Sequence, residues 1–271
     1  VEDKMAVLTI SREFGSGGRE IGSVIARDLG YDIVDKERIL ADAKDAGGSW
    51  ERWSKELDER SPSLWDRYDW SFRGFVALMQ SILLDYALKD RVVLLGRGGN
   101  LLLKEIPFVL RVRITAPIER RVEIIIKRET VDIDTAKWLI EKTDRERAGF
   151  IKSIYGKNWD DPSTYDLIIE TDKHSFSDSI EMLKAMLLER DGFCNETCRN
   201  TVRLRREASR IKAALFTDPS LFFPTLNVEL SGESILVECV VHNNKERERI
   251  VAKTQELAGD IPVRFDIRFR G

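Results

Sequence analysis

Met5 to Ile10 (MAVLTI) is an uninterrupted apolar run of the kind buried on both faces of a parallel sheet. After Phe14-Gly15-Ser16-Gly17-Gly18 the apolar positions change spacing to Ile21, Val24, Ile25 and Leu29, a helical stripe that Gly30 can close. The chain therefore opens as strand, glycine loop, helix. Tyr31 to Val34, Arg91 to Leu95 (RVVLL), Phe108 to Thr115 (FVLRVRIT) and Tyr165 to Glu170 (YDLIIE) predict further strands. Between them, helical spacing covers 36–46, 50–89 in pieces, 117–128, 132–155 and 177–190. Such alternation predicts an α/β fold, a parallel sheet with helices on both faces, whose ligands bind beyond the carboxyl ends of the strands.

The pattern changes near Asp191-Gly192. A helix is expected over 198–216, with Leu204, Ala208, Ile211 and Leu215 at helical spacing and Asp218-Pro219 as its stop. Leu226 to Leu230 and Ile235 to Val241 flank Ser231-Gly232-Glu233-Ser234 as a hairpin. A charged helix follows over 244–258. Then Ile261, Val263, Phe265, Ile267 and Phe269 alternate with polar residues or proline, a strand with one dry face and one wet one. This order describes a small α+β unit with its own core, so the expected division is 1–190 and 191–271.

At 271 residues the chain is long enough for two such units, and 42% hydrophobic residues suffice to bury a core in each. Charged residues reach 34%, but 44 Lys+Arg against 47 Asp+Glu leave a net charge of only −3, which argues against a protein that coats nucleic acid. No run approaches the apolar length of a membrane span, and VEDKM lacks a secretory layout, so the expected location is the cytoplasm. Cys194, Cys198 and Cys239 are too few and too scattered for a disulfide framework. His174 and His242 stand alone as surface or boundary residues.

Ser11 to Glu20 (SREFGSGGRE) lies where backbone N–H groups and a helix dipole can face a phosphate, and where missing Cβ atoms permit close approach. Against the regular P-loop pattern G-x-x-x-x-G-K-[ST], Gly17 takes the last glycine, Gly18 the lysine, Arg19 the Mg²⁺-binding hydroxyl and Arg12 the first glycine. Arg12 or Arg19 can supply the missing cation, since guanidinium grips phosphate in a forked geometry; the alternative is a tight turn with ordinary surface charge. In Gly96-Arg97-Gly98-Gly99-Asn100, Arg97 ends an apolar strand and points toward the ligand crevice, as an anion anchor or as a brace for the loop. Arg145 and Arg147, in Lys142 to Arg147, diverge by about 200° on a continuous helix but can both reach phosphates near a helix end or in a lid. Otherwise they belong to a solvated face.

Together these stretches resemble the P-loop nucleoside monophosphate kinases, most closely the cytidylate kinase-like family. The resemblance is carried by TISREFGSGGREIG (9–22), YDIVDKERI (31–39), VVLLGRGGNLLL (92–103), VLRVRITAPIERRVE (109–123) and TDRERAGFIKSIYGKNWDDPSTYDLIIET (143–171). It implies a P-loop NTPase-type sheet, with ATP and Mg²⁺ as cofactors and the ATP phosphates on Gly15, Ser16, Gly17, Gly18 and Arg19. Glu20 is then a candidate for the metal, Asp35 and Asn100 lie near the acceptor nucleotide, Arg97 on its base or phosphate, and Arg145 and Arg147 in a closing lid. Two positions depart from true cytidylate kinases: Gly18 replaces the P-loop lysine, and Gly98 replaces an aspartate after the strand-end arginine. The first bears on catalytic strength. The second bears on cytosine selectivity, because a carboxylate able to accept from the exocyclic amine is gone.

The expected activity is ATP-dependent phosphoryl transfer to a nucleoside monophosphate (CMP-like) or a similar small phosphate acceptor. The alternative is a catalytically weak nucleotide or phosphate sensor acting through its C-terminal unit. Trp50, Trp53, Trp65, Trp70, Phe72 and Phe75, with Arg67 and Arg73, lie where such kinases insert acceptor-binding helices, and either stack on a base, anchor a partner or pack on the core. Residues 198–270 resemble a BON-type domain through DPSLFFPTLNVELSGESILVECVVHNNKERERIVAKTQELAGDIPVRFDI, which implies association with a partner or a further copy. Arg199, Arg203, Arg206 and Arg210 share one face of the first helix there, open to an acidic partner or to water.

Overall fold

β1 (Val7–Arg12) occupies the centre of a five-stranded sheet, in the computed structural model that describes residues 6–46, 50, 52–53, 66, 69–221, 223 and 225–270. Trp65 and Arg67 lie outside the described residues. The chain continues through α1 (Gly18–Leu29), β2 (Asp32–Val34), α2 (Lys36–Asp45), α3 (Trp70–Leu88), β3 (Val92–Leu95) and the single turn α4 (Gly99–Leu102). It then runs through β4 (Val109–Thr115), α5 (Ile118–Glu129), α6 (Ile133–Tyr155), β5 (Leu167–Glu170) and α7 (Phe176–Asp191). The order across the sheet is β2-β3-β1-β4-β5, and every neighbouring pair is parallel.

Because alternate strand residues face opposite sides, β1 feeds two cores. Leu8 and Ile10 pack with Ile21 and Ile25 of α1 and Leu183 and Leu187 of α7. Val7 packs on the other side with Phe72, Phe75 and Leu84 of α3 and Ile39 of α2. A third cluster, Val122, Ile125, Ala136 and Ile140, pairs α5 with α6. Ile10 pairs with Leu95, and Gly96 N–H donates to Ile10 O at 2.9 Å, so the loops leaving β1 and β3 emerge side by side on either side of the point where strand order reverses.

The remaining elements are α8 (Glu196–Thr217), β6 (Thr225–Ser231), β7 (Ser234–Val241), α9 (Asn244–Ala258) and β8 (Val263–Phe269), with sheet order β6-β7-β8. β6 and β7 form the expected hairpin, and β8 runs parallel to β7. The dry face of β8 is incomplete: Val263, Phe265 and Ile267 are half-buried, and Phe269 at the strand end is 52% exposed.

The two sheets share helices. Val202 from the start of α8, together with Cys194 just before it, packs in the α3 core, while Ala208, Ile211 and Leu215 of α8 pack on the small sheet with Trp70 of α3. The basic face of α8 is consumed largely within the chain. Arg199 reaches Asp90 and donates to Leu88 O (3.3 Å), and Arg206 donates to Asp85 (3.0 Å). Arg203 donates to Asn200 (2.6 Å), and Arg210 pairs with Glu207 (3.2 Å). Among the described residues no helix is long and apolar enough to cross a membrane.

Candidate functional site

α2, α3, α6, α7, α8 and α9 each begin on a side chain that accepts from the first turn, whereas α1 begins on Gly17 with no side-chain cap. Its N-terminus is left to face the cleft. Gly15 and Gly17 have φ of 82° and 81°, the left-handed region in which a side chain is strained. Ser16 Oγ turns inward and donates to Glu13 O at 2.9 Å, while Thr171 Oγ1 donates to Ser16 O at 3.1 Å. Asp144 of α6 accepts from Phe14 N–H at 2.8 Å and from Arg121 Nη1 at 2.5 Å, and Arg113 and Arg121 both approach Glu13, at 3.4 and 3.7 Å. This largely buried network holds the loop in one conformation.

Four arginines converge above it. Arg147 Nη1 donates to Arg12 O at 2.7 Å. Arg97, itself left-handed at φ 55°, lies over the Phe150 ring at 4.5 Å, and Tyr155 Oη donates to its carbonyl at 2.9 Å. Arg19 Nη2 donates to Asp35 at 2.7 Å, and Asp35 also caps α2 by accepting from Arg38 N–H. Burial, reinforced by Arg147, Arg19 and Arg97, pulls the Arg12 pKa down to about 9; Glu37 opposes this weakly. Burial likewise lowers Arg147. A buried arginine crowded by other cations in this way marks a place where a bound anion is favoured.

Two cavities meet at these residues. One, of about 310 Å³, is lined by Arg12, Arg19, Lys36, Arg97, Asn100 and Arg147, with Glu37, Glu146 and Trp159 also at its wall. The other, of about 330 Å³, is lined by Gly15, Gly17, Gly18, Glu20 and Arg128. They share Arg12, Phe14, Arg19 and Arg147.

Among the residues singled out from sequence, Gly15, Gly17, Gly18, Arg19 and Glu20 surround the second cavity, and Arg12, Arg97, Asn100 and Arg147 line the first. Asp35 acts through Arg19, and Ser16 presents its hydroxyl to the loop's own backbone. Arg145 stands apart. α6 is continuous through 133–155, so Arg145 projects from its outer face, 80% exposed and 4.0 Å from Glu141, and is not at a helix end. Trp50, Trp53, Phe72 and Phe75 pack against one another, and Trp70 packs on Phe216 and Phe223. Their rings serve the cores.

Sequence reading missed Lys36, Arg128, Phe150 and Trp159. Lys36 follows Asp35 directly, so its position after β2 was an available signal. Trp159 carried none: its Nε1 donates to Ser11 Oγ at 2.8 Å and its ring lies 4.3 Å under Arg113, contacts formed across 148 and 46 positions of sequence.

The loop does not fit a protein-held Mg²⁺. Arg19 stands at the usual hydroxyl position with its guanidinium on Asp35, Ser16 Oγ faces inward, and exposed Glu20 lies 4.0 Å from Arg128. Among the described residues no group of three or more His, Cys, Asp or Glu could hold a metal ion.

A parallel sheet whose central strand feeds a glycine loop and an uncapped helix, walled by arginines, defines a P-loop-type α/β protein. The chain belongs to the cytidylate kinase-like family, whose profile matches residues 7–173. It is similar to the cytidylate kinase of Methanopyrus kandleri, with 29% identity over 200 residues, covering 68% of this chain and 96% of the relative. It is likewise similar to that of Pyrococcus horikoshii, with 29% identity over 189 residues, covering 69% and 90%. An uncharacterized protein from Eubacterium ventriosum shares the fold, with a TM-score of 0.53 at 22% identity over 67% of this chain and 98% of that one.

Proposed function

We propose that the protein is an ATP-dependent phosphotransferase acting on a nucleoside monophosphate or a similar small phosphate acceptor. The observation that carries the reading is the pair of cavities joined at Arg12, Phe14, Arg19 and Arg147. The glycine-loop cavity takes the donor phosphates on the N-terminus of α1, and the Arg97 cavity takes the acceptor. The two ligands then meet at a wall of guanidinium groups. Phosphoryl transfer asks for little more than alignment and neutralisation of the charge spread over the transferred oxygens, and that wall supplies both. Mg²⁺ enters as the counter-ion of ATP, and no step is assigned to a metal held by the protein.

Arg97 anchors the acceptor phosphate, Asp35 holds Arg19 at the mouth, and Arg147 closes over both ligands. Asn100 is buried behind Arg97, its amide 3.5 Å from Thr164 O, and shapes the acceptor wall. Position 98 has no room for the aspartate of true cytidylate kinases: a Cβ there would lie 2.2 Å from Tyr155 Cε2 and 2.5 Å from Cζ, in collision with the ring edge. Acceptor choice therefore rests on the phosphate more than on a cytosine amine, and discrimination between CMP and UMP should stay within about ten-fold. The C-terminal unit, resembling a BON-type domain, serves association with a partner.

The test is ADP release from ATP and Mg²⁺ with CMP, dCMP, UMP, AMP and GMP offered in turn. The wild-type protein turns over with at least one acceptor. Arg97→Ala raises the acceptor KM about ten-fold or more while leaving the ATP KM within about two-fold. Saturable ATP binding with no acceptor-dependent ADP contradicts the reading and returns the chain to the nucleotide-sensor alternative.

A further inference from the structure

The glycine loop lacks the lysine of a regular P-loop and carries an arginine where that loop has its first glycine. These two departures are one geometric event. A Cβ at Gly18 would lie 2.7 Å from Arg12 Cβ and 3.2 Å from Ile114 Cβ, so positions 12 and 18 cannot both carry a side chain on this backbone. Gly18 opens a helix without a positive φ; its need for glycine is one of space, unlike that of Gly15 and Gly17. A second glycine lies beside the same side chain. Gly96, where β3 ends, is glycine for its left-handed φ of 78°, and a Cβ built there would come within 2.9 Å of Arg12 Nη1, which locates the guanidinium. The Arg12 side chain therefore leaves β1, passes against Gly18 and lays its guanidinium on the end of β3 beside Arg97.

We infer that Arg12 supplies from the strand the phosphate-binding charge that a regular P-loop takes from a lysine on the helix, and that Gly18 is a glycine to let it pass. The inference rests on the phosphotransferase reading of this loop and decides between the two cations that the sequence left open. Arg19 is engaged: its guanidinium is 2.7 Å from Asp35, and its side chain is 58% exposed. Arg12 lines both cavities at the wall where a transferred phosphoryl group would pass, and its backbone carbonyl is fixed by Arg147 at 2.7 Å. The depressed pKa of Arg12 agrees, since a bound phosphate would relieve the repulsion from Arg147, Arg19 and Arg97.

The test measures tripolyphosphate binding by calorimetry, together with thermal melting, for the wild-type protein and for Arg12→Gly, Gly18→Lys and the double variant Arg12→Gly/Gly18→Lys. Arg12→Gly should weaken tripolyphosphate binding by about ten-fold or more. Gly18→Lys alone should lower the melting temperature by about 5 °C or more without tightening binding, because its Cβ meets Arg12. The double variant should recover both affinity and melting temperature, the former to within about three-fold of wild type. Arg12→Gln, which keeps the side chain and removes its charge, should bind as weakly as Arg12→Gly, and Arg12→Lys should retain most of the affinity.

Two results would overturn the inference: Arg12→Gln binding tripolyphosphate as the wild type does, or a well-folded double variant binding no better than Arg12→Gly. If the binding series follows the expected order but no acceptor yields ADP, the charge exchange stands and the transferase reading falls.

Discussion

Arg12 is held where its charge is costly in the ligand-free protein. Its folded pKa lies below that of a free guanidinium, so at neutral pH the folded state bears the cost of keeping a proton that it holds less tightly than the unfolded chain does. That cost is fully present below about 9 and is relieved only as pH rises above it. Arg12→Met, which fills similar space without charge, should raise the ligand-free melting temperature at pH 7 by about 2–4 °C, and the gain should shrink above pH 9. A lower melting temperature for Arg12→Met at pH 7 would give Arg12 a structural role instead. Gly98 shows the same economy of space. Its left-handed φ of 73° and the Tyr155 ring leave it no side chain, and Tyr155 uses the room to hold Arg97 O. Neither constraint can be read from position 98, because its partner lies 57 positions further along the chain.

The elements were legible where burial follows a simple period. The apolar runs of β1, β3 and β4 mark strands covered on both faces, and they place the glycine loop between β1 and α1. Helix phase was harder to use. Arg145 and Arg147 sit two apart in mid-helix, so α6 can present only one of them to the loop, and the contact with Arg12 O selects Arg147. Arg147→Ala should therefore lower kcat/KM by about 100-fold, and Arg145→Ala should leave it within about two-fold, as for an exposed helical ion pair. Steady-state kinetics with the acceptor found for the wild type checks both; equal losses would mean that α6 rearranges when ligands bind. The α5–α6 pair has a small core of its own, which lets Asp144 and Arg121 brace the loop at Phe14 and Glu13 from outside the main sheet.

At the scale of the whole molecule, the change of pattern near residue 191 marks where one sheet's contribution ends, but it does not mark a linker. Asp191 closes α7 and accepts from Ala6 N–H at 2.5 Å, Val202 of α8 is buried in the first core, and Trp70 of α3 packs on the second. A helical stripe looks the same whichever core it buries, so the sharing of α8 between two sheets was invisible in the sequence pattern. The chain should therefore unfold in one calorimetric transition, and a 1–190 fragment should melt about 10 °C or more below the full chain, having lost apolar burial worth about 1.5–3 kcal/mol per side chain. Two separated transitions, or a fragment as stable as the whole, would show independent units. Joined in this way, the C-terminal unit bears on α3, which backs the sheet carrying the loop. Phosphoryl transfer at that loop is tested most directly by the ADP released by the wild-type protein from ATP and Mg²⁺, with and without each nucleoside monophosphate. The structure's arginine wall predicts a rate that rises saturably with at least one acceptor, whereas a rate indifferent to every acceptor would contradict it.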